Sequence, residues 1–135
     1  MKRYVIDASV AIKCVIMEEK TDAAEVLLQH ALIAPDFILV ECGNIIWKKY
    51  TAKIITLPET SACLKRVCCI PGELYSAEES LEAALRLSID LNHPIYDCLY
   101  LALALEEDIP LVTADEKFYK AVRKHTKLKH AVELL

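Results

Sequence analysis

At 135 residues, 55% of them hydrophobic, and with a mean hydropathy of +0.28, the chain has the length of one domain and enough apolar residues for a core without disulfides or a structural metal. Its 16 Lys and Arg against 20 Asp and Glu give a net charge of -4, which by itself argues against a nucleic-acid partner. No apolar run approaches a bilayer span, and Met1-Lys2-Arg3 leads into a strand without a signal-peptide core, so no membrane contact is expected and the cytoplasm is the expected location.

In chain order, Arg3 to Ile6 reads as a short apolar strand that stops at Asp7, and Ser9 to Ile16 as a helix. Asp7 alone also reads as an ordinary helix cap, a position that favours Asp. Asp22 to Leu32 is amphipathic (Ala23, Val26, Leu27, Ala31), Ile33 to Pro35 reads as a second short strand, and Ile38 to Lys53 as a long helix. The apolar stripe of that helix runs Ile38, Cys42, Ile45, Ile46, and Glu41 lies on the same stripe. A Glu there either bends out to solvent or serves a purpose inside. Asn44, one turn on, is spaced to orient its carboxylate, although a surface position suits it equally.

Pro58 to Ile70 and Ala77 to Leu91 read as two more helices, the second with Ser76 as N-cap and Glu79 completing a capping box. Pro71-Gly72 marks a turn. Six cysteines include no Cys-x-x-Cys pair and read as reduced core residues; four histidines show no ligand spacing such as i, i+4, which argues against zinc. There are no repeats, low-complexity tracts or linkers, so residues 1–135 are expected to form a single domain.

Ile95 to Phe118 is the most informative stretch. A helix apolar on nearly every side (Cys98, Leu99, Leu101, Ala102, Leu103, Ala104, Leu105) is followed by a turn at Glu106 to Ile109 and a strand, Pro110 to Thr113. Asp97 sits in the first turn of this buried helix, where the helix dipole also favours an acid. Asp115 follows a strand of the type that parallel sheets bury on both faces, ahead of a helix from Lys117 to Lys124. Strand, acid, helix thus occurs at both ends of the chain, and in a parallel sheet both acids lie at the carboxyl edge, where such sheets bind ligands. Each acid alone has a plain structural account. Together, two at strand ends and two on buried helix faces, Asp7, Glu41, Asp97 and Asp115 imply a shared pocket. Their mutual repulsion calls for a hard cation with oxygen ligands, Mg²⁺ or Mn²⁺.

Val-Ile-Asp-Ala-Ser at the N-terminus, Glu-x-x-Asn in an early helix, Tyr-Asp-x-x-Tyr-Leu-Ala-Leu-Ala, and Leu-Val-Thr-Ala-Asp-Glu-x-Phe, in this order and over essentially the whole chain, resemble a PIN domain. The likeness is nearest to the VapC toxins of bacterial and archaeal toxin–antitoxin pairs. It implies an α/β fold with a central parallel sheet wrapped by helices, and metal-ligand and catalytic roles for Asp7, Glu41, Asp97 and Asp115. Ser9, Asn44 and Thr113 match supporting polar positions. The implied chemistry is Mg²⁺- or Mn²⁺-dependent hydrolysis of RNA phosphodiester bonds, with two ions about 3.5 to 4 Å apart as one arrangement. Single-stranded or loop RNA is the implied substrate, and the implied partners are a cognate VapB-like antitoxin and a second copy in a homodimer.

Charge distribution agrees better with RNA than net charge does. From Lys117 onward there are six basic residues (Lys117, Lys120, Arg123, Lys124, Lys127, Lys129) against the single acid Glu133, and Lys48, Lys49 and Lys53 form a second cluster. Either cluster also reads as a solvated helix face. Two other functions fit the acids less well. A phosphatase of the haloacid-dehalogenase kind, with Asp7 as nucleophile, wants a second Asp where this chain has Ser9; an inactive PIN-like module that only binds RNA or protein would not need all four acids.

Overall fold

The structure, a computed structural model, describes residues 1–135. Five strands form one all-parallel sheet: β1 (Arg3–Ile6), β2 (Ala31–Pro35), β3 (Glu73–Tyr75), β4 (Leu111–Thr113) and β5 (Val132–Leu134), in the order β3-β2-β1-β4-β5. Seven helices accompany them: α1 (Ala8–Lys13), α2 (Thr21–Val26), α3 (Ile38–Thr51), α4 (Leu57–Val67), α5 (Leu81–Leu91), α6 (Ile95–Glu107) and α7 (Glu116–Arg123). From β1 to β3 the chain steps to one side; after β3 it crosses back over β2 and β1 to begin β4. Right-handed crossovers place α1 to α4 on one face and α5 to α7 on the other. Contacts of α1 with α3, of α3 with α4 and of α5 with α6 agree with this arrangement. The reversal falls between β1 and β4, where the connections diverge and open a crevice at the carboxyl edge.

The core explains the apolar runs. Val5, Ile6, Leu111 and Val112 are buried in the middle of the sheet, and α6 covers it with an unbroken buried run from Cys98 to Ala104. Because α6 precedes β4, it descends from the carboxyl edge to the amino edge, which puts its first turn at the crevice. Its last turn closes through Asp108 in the left-handed region, φ 53°.

Several elements depart from the sequence expectation. The Asp22 to Leu32 helix ends at Val26, passes through a 3-10 turn at Leu27–Gln29, and gives Ala31 and Leu32 to β2. Pairing of Ala31 with Arg3 and Leu32 with Tyr4 outweighs the helical spacing of Leu27 and Ala31. Strands β3 and β5 were not expected: each is a three-residue edge strand with an acid in it and no continuous apolar run. Ser76 does not cap α5, which starts at Leu81; it precedes a 3-10 turn, Glu78–Ser80, whose N-cap is Ala77, and its Oγ accepts the Glu79 N–H at 3.4 Å. All six cysteines are free, but Cys68 and Cys69 are exposed at the end of α4, so only four are core residues.

A core packed around α6 predicts that Leu101→Ala, at a fully buried site, lowers the unfolding free energy by about 2 to 5 kcal/mol in urea titrations. Leu105, on the same helix and 41% exposed, is expected to cost clearly less when truncated.

Candidate active site

Four helices begin at the carboxyl edge, and each brings one acid. Asp7 is the N-cap of α1 and Asp115 the N-cap of α7; Glu41 and Asp97 lie in the first turns of α3 and α6. The side chains of Asp7, Glu41, Asp97 and Asp115 line one pocket of about 130 Å³, together with Ala8, Ser9 and Ile45. The capping account and the pocket account therefore hold at once. Asp7 Oδ1 accepts the Val10 N–H at 3.2 Å and Asp115 Oδ1 accepts the Phe118 N–H at 3.1 Å, and both side chains still border the cavity. The positive ends of the helix dipoles offset part of the repulsion between the acids.

Asp7 is the most enclosed, at 4% exposure. Pairing of Ile6 with Val112 sets Asp7 beside Thr113 at the ends of adjacent strands. The Thr113 hydroxyl donates to Asp7 Oδ2 and the Ser9 hydroxyl donates to Oδ1 at 2.5 Å. Ser9 Oγ in turn accepts the Ala114 N–H at 3.0 Å, and Thr113 Oγ1 accepts the Asp115 N–H at 3.1 Å. Ser9 and Thr113 are thus brought to the site; Asn44 is not, being exposed on α3 and absent from the pocket lining. Glu41 is oriented instead by Tyr100, whose buried hydroxyl donates to Oε1 at 2.5 Å. Asp97 Oδ2 is joined to His93 Nε2 at 2.6 Å, and the His93 ring packs on Phe118 at 4.8 Å between centroids. Tyr100 stands three residues after Asp97, one turn along the same helix face, and His93 four before it. Both spacings are readable in the sequence, but only once Asp97 is taken as the reference point.

Burial pushes the Asp7 carboxyl up to about 7 against the bonds from Ser9, Thr113 and Val10, with the charge of Asp97 adding to the rise. Glu41 and Asp97 are also raised, first by burial, with Tyr100 and His93 respectively pulling them back. No Lys or Arg pairs with any of the four; the ion pairs of the chain are Arg3–Glu107, Lys13–Glu18, Lys49–Glu18 and His93–Asp97. An all-oxygen donor set without basic partners fits a hard divalent cation in chemistry. As the side chains stand, no group of three or more His, Cys, Asp or Glu is arranged to hold an ion; each acid is turned toward its own hydrogen-bond donor.

A doubly wound parallel sheet with an acid-lined pocket at its switch point defines the class of protein. Within it, the chain belongs to the PIN domain family, whose model matches residues 4–124, a family of metal-dependent nucleases. Among solved structures it is similar to PAE2754 from Pyrobaculum aerophilum, with a TM-score of 0.71, 22% identity, and coverage of 89% of this chain and 86% of that one. That likeness is one of fold. No curated protein matches the chain.

The raised Asp7 carboxyl gives a signed pH dependence. Its folded value, about 7, lies above the unfolded 3.8, so the native state holds the proton more tightly. The resulting stability is fully present below pH 3.8 and is lost as pH rises through about 7, up to about 4 kcal/mol in magnitude. In EDTA, Asp7→Asn should therefore gain on the wild type as pH climbs from 4 to 7.5; urea titrations giving a pH-independent difference would contradict this origin of the shift.

Proposed function

We propose that the chain is a Mg²⁺- or Mn²⁺-dependent endoribonuclease and the toxin of a VapBC-type pair, acting in the cytoplasm. The carrying observation is the meeting of Asp7, Glu41, Asp97 and Asp115 in one pocket with no Lys or Arg beside them. These four residues would hold the metal. When bound, the ion supplies positive charge that lowers the pKa of water and stabilises charge developing on the cleaved phosphate.

The chain's own part is positioning and proton bookkeeping. Ser9 and Thr113 hold the Asp7 carboxylate from both sides, Tyr100 fixes one oxygen of Glu41, and His93 fixes one oxygen of Asp97. Such orienting partners are commonly worth about 10- to 100-fold in metal affinity. With Asp7 titrating near 7, a cation competes with a proton there, so affinity for metal should rise with pH across neutrality. Lys117 and Lys120 in the first turns of α7, whose N-cap is Asp115, supply charge for the RNA backbone near the pocket. The antitoxin and a homodimeric state rest on the resemblance to VapC toxins. A complex with the antitoxin that cleaved RNA as fast as the free protein would remove that inhibitor role.

Three measurements on the same preparation test the ribonuclease. Millimolar Mn²⁺ should raise the melting temperature above that in EDTA, since an ion that binds the native state stabilises it by mass action. Single-stranded RNA should be cut with Mg²⁺ or Mn²⁺ and not with EDTA. Asp97→Asn, which retains a hydrogen-bond acceptor for His93, should reduce cleavage by on the order of a hundredfold or more while leaving the metal-free protein at least as stable. Wild-type cleavage by that variant would remove Asp97 from the site.

A further inference from the structure

The two helix starts that carry Glu41 and Asp97 also carry an aromatic pair that the proposed chemistry does not use. Phe37 is the N-cap of α3, one turn before Glu41, and Tyr96 is the residue before Asp97 in the first turn of α6. Their rings stack across the gap between the two helices, 5.7 Å between centroids and 16° between planes. Phe37 is half-buried against the core, whereas Tyr96 is 57% exposed. Phe37 thus anchors the pair to the core, while much of the Tyr96 ring, one residue before Asp97, stays open to water.

We infer that Tyr96, backed by Phe37, is a base-stacking platform: it receives the base of a nucleotide next to the scissile phosphate of single-stranded RNA. This rests on the ribonuclease reading above. The chemistry suits the place. An acidic pocket repels the phosphate backbone except where a cation bridges them, so a contact to the base adds affinity that the acids themselves cannot supply. Base–aromatic stacking supplies it without regard to sequence, because every base has a π-face. Position distinguishes Tyr96 from the other exposed rings. Trp47 and Tyr50 lie six and nine residues beyond Glu41 on α3, roughly 9 and 14 Å farther from the edge at about 1.5 Å per residue. The two other ring pairs, Tyr4 with His30 edge-on and His93 with Phe118 tilted, are not stacked, each includes a buried aromatic ring, and neither joins the helix starts that carry Glu41 and Asp97.

The test compares wild type, Tyr96→Ala and Tyr96→Phe on a labelled single-stranded RNA with Mn²⁺. Matched substrates carry one abasic nucleotide at successive positions around the cut. Tyr96→Ala should raise KM on the order of tenfold with kcat changed little, and Tyr96→Phe should restore it. For wild type, one abasic position should incur the same penalty, and Tyr96→Ala should be indifferent to that position. Mn²⁺ affinity by calorimetry and the melting temperature should be the same in all three proteins. Unchanged KM in Tyr96→Ala, or equal sensitivity to every abasic position in both proteins, overturns the platform. So does a loss of Mn²⁺ affinity in Tyr96→Ala, which would make the pair a structural support of the pocket. A wild-type protein that cleaves no RNA with either ion removes the ribonuclease and the platform together, whereas normal cleavage insensitive to Tyr96 removes the platform alone.

Discussion

The bonds that Thr113 and Ser9 make to Asp7 hold together the parts of the molecule that matter most. A carboxylate this enclosed is tolerable only if its oxygens are satisfied, and here the partners come from two different elements: the end of β4 and the first turn of α1. The cluster therefore fastens β1 to β4 at the point where the connections diverge. If the register of β1 on β4 slipped by one residue, Thr113 would turn to the opposite face and Asp7 would lose its partner on β4. The position of Asp115, two residues past Thr113, follows from the same register.

That arrangement also accounts for the electrostatic character of the site. Burial raises Asp7, Glu41 and Asp97 together, and each is drawn back only by partners outside the group of acids: Ser9, Thr113 and the Val10 N–H for Asp7, Tyr100 for Glu41 and His93 for Asp97. Donors on the protein only partly replace lost water, so the acids retain a demand for positive charge that no Lys or Arg meets. Stability sacrificed to keep such groups apart from bases is the usual cost of a binding site. The helix starts moderate it, because partial positive charge from four first turns falls on the same small volume.

Much of this was legible in the sequence where the signal is local. The buried strands β1 and β4 and the helix α6 announce themselves as apolar runs, and the acids stand out as charges placed against those runs. Asp7, Glu41, Asp97 and Asp115 could be singled out because each breaks a pattern. What the sequence hid depends on tertiary pairing. Strands β3 and β5 exist only because β2 and β4 offer a partner, and Ala31 leaves its helical pattern for the same reason. Asn44 had the better spacing to orient Glu41, yet it faces water while Tyr100, 59 residues away from Glu41, takes that place. In the sequence Tyr100 is one residue inside the apolar run of α6; only the meeting of the starts of α3 and α6 at the carboxyl edge turns its hydroxyl into a partner for Glu41.

Parallel order and the crossover back over β1 also set when the molecule becomes complete. Asp7 emerges first during synthesis, but Thr113 is 106 residues later and Asp115 later still, and none of the strand-to-strand links is a hairpin. Non-local pairing of this kind delays folding until the distant segment is available. A growing chain thus carries Asp7 and Glu41 for a long interval with β4 missing from the sheet. The pocket can close only after β4 has been made, so the four acids first meet at least 106 residues after the first of them was added.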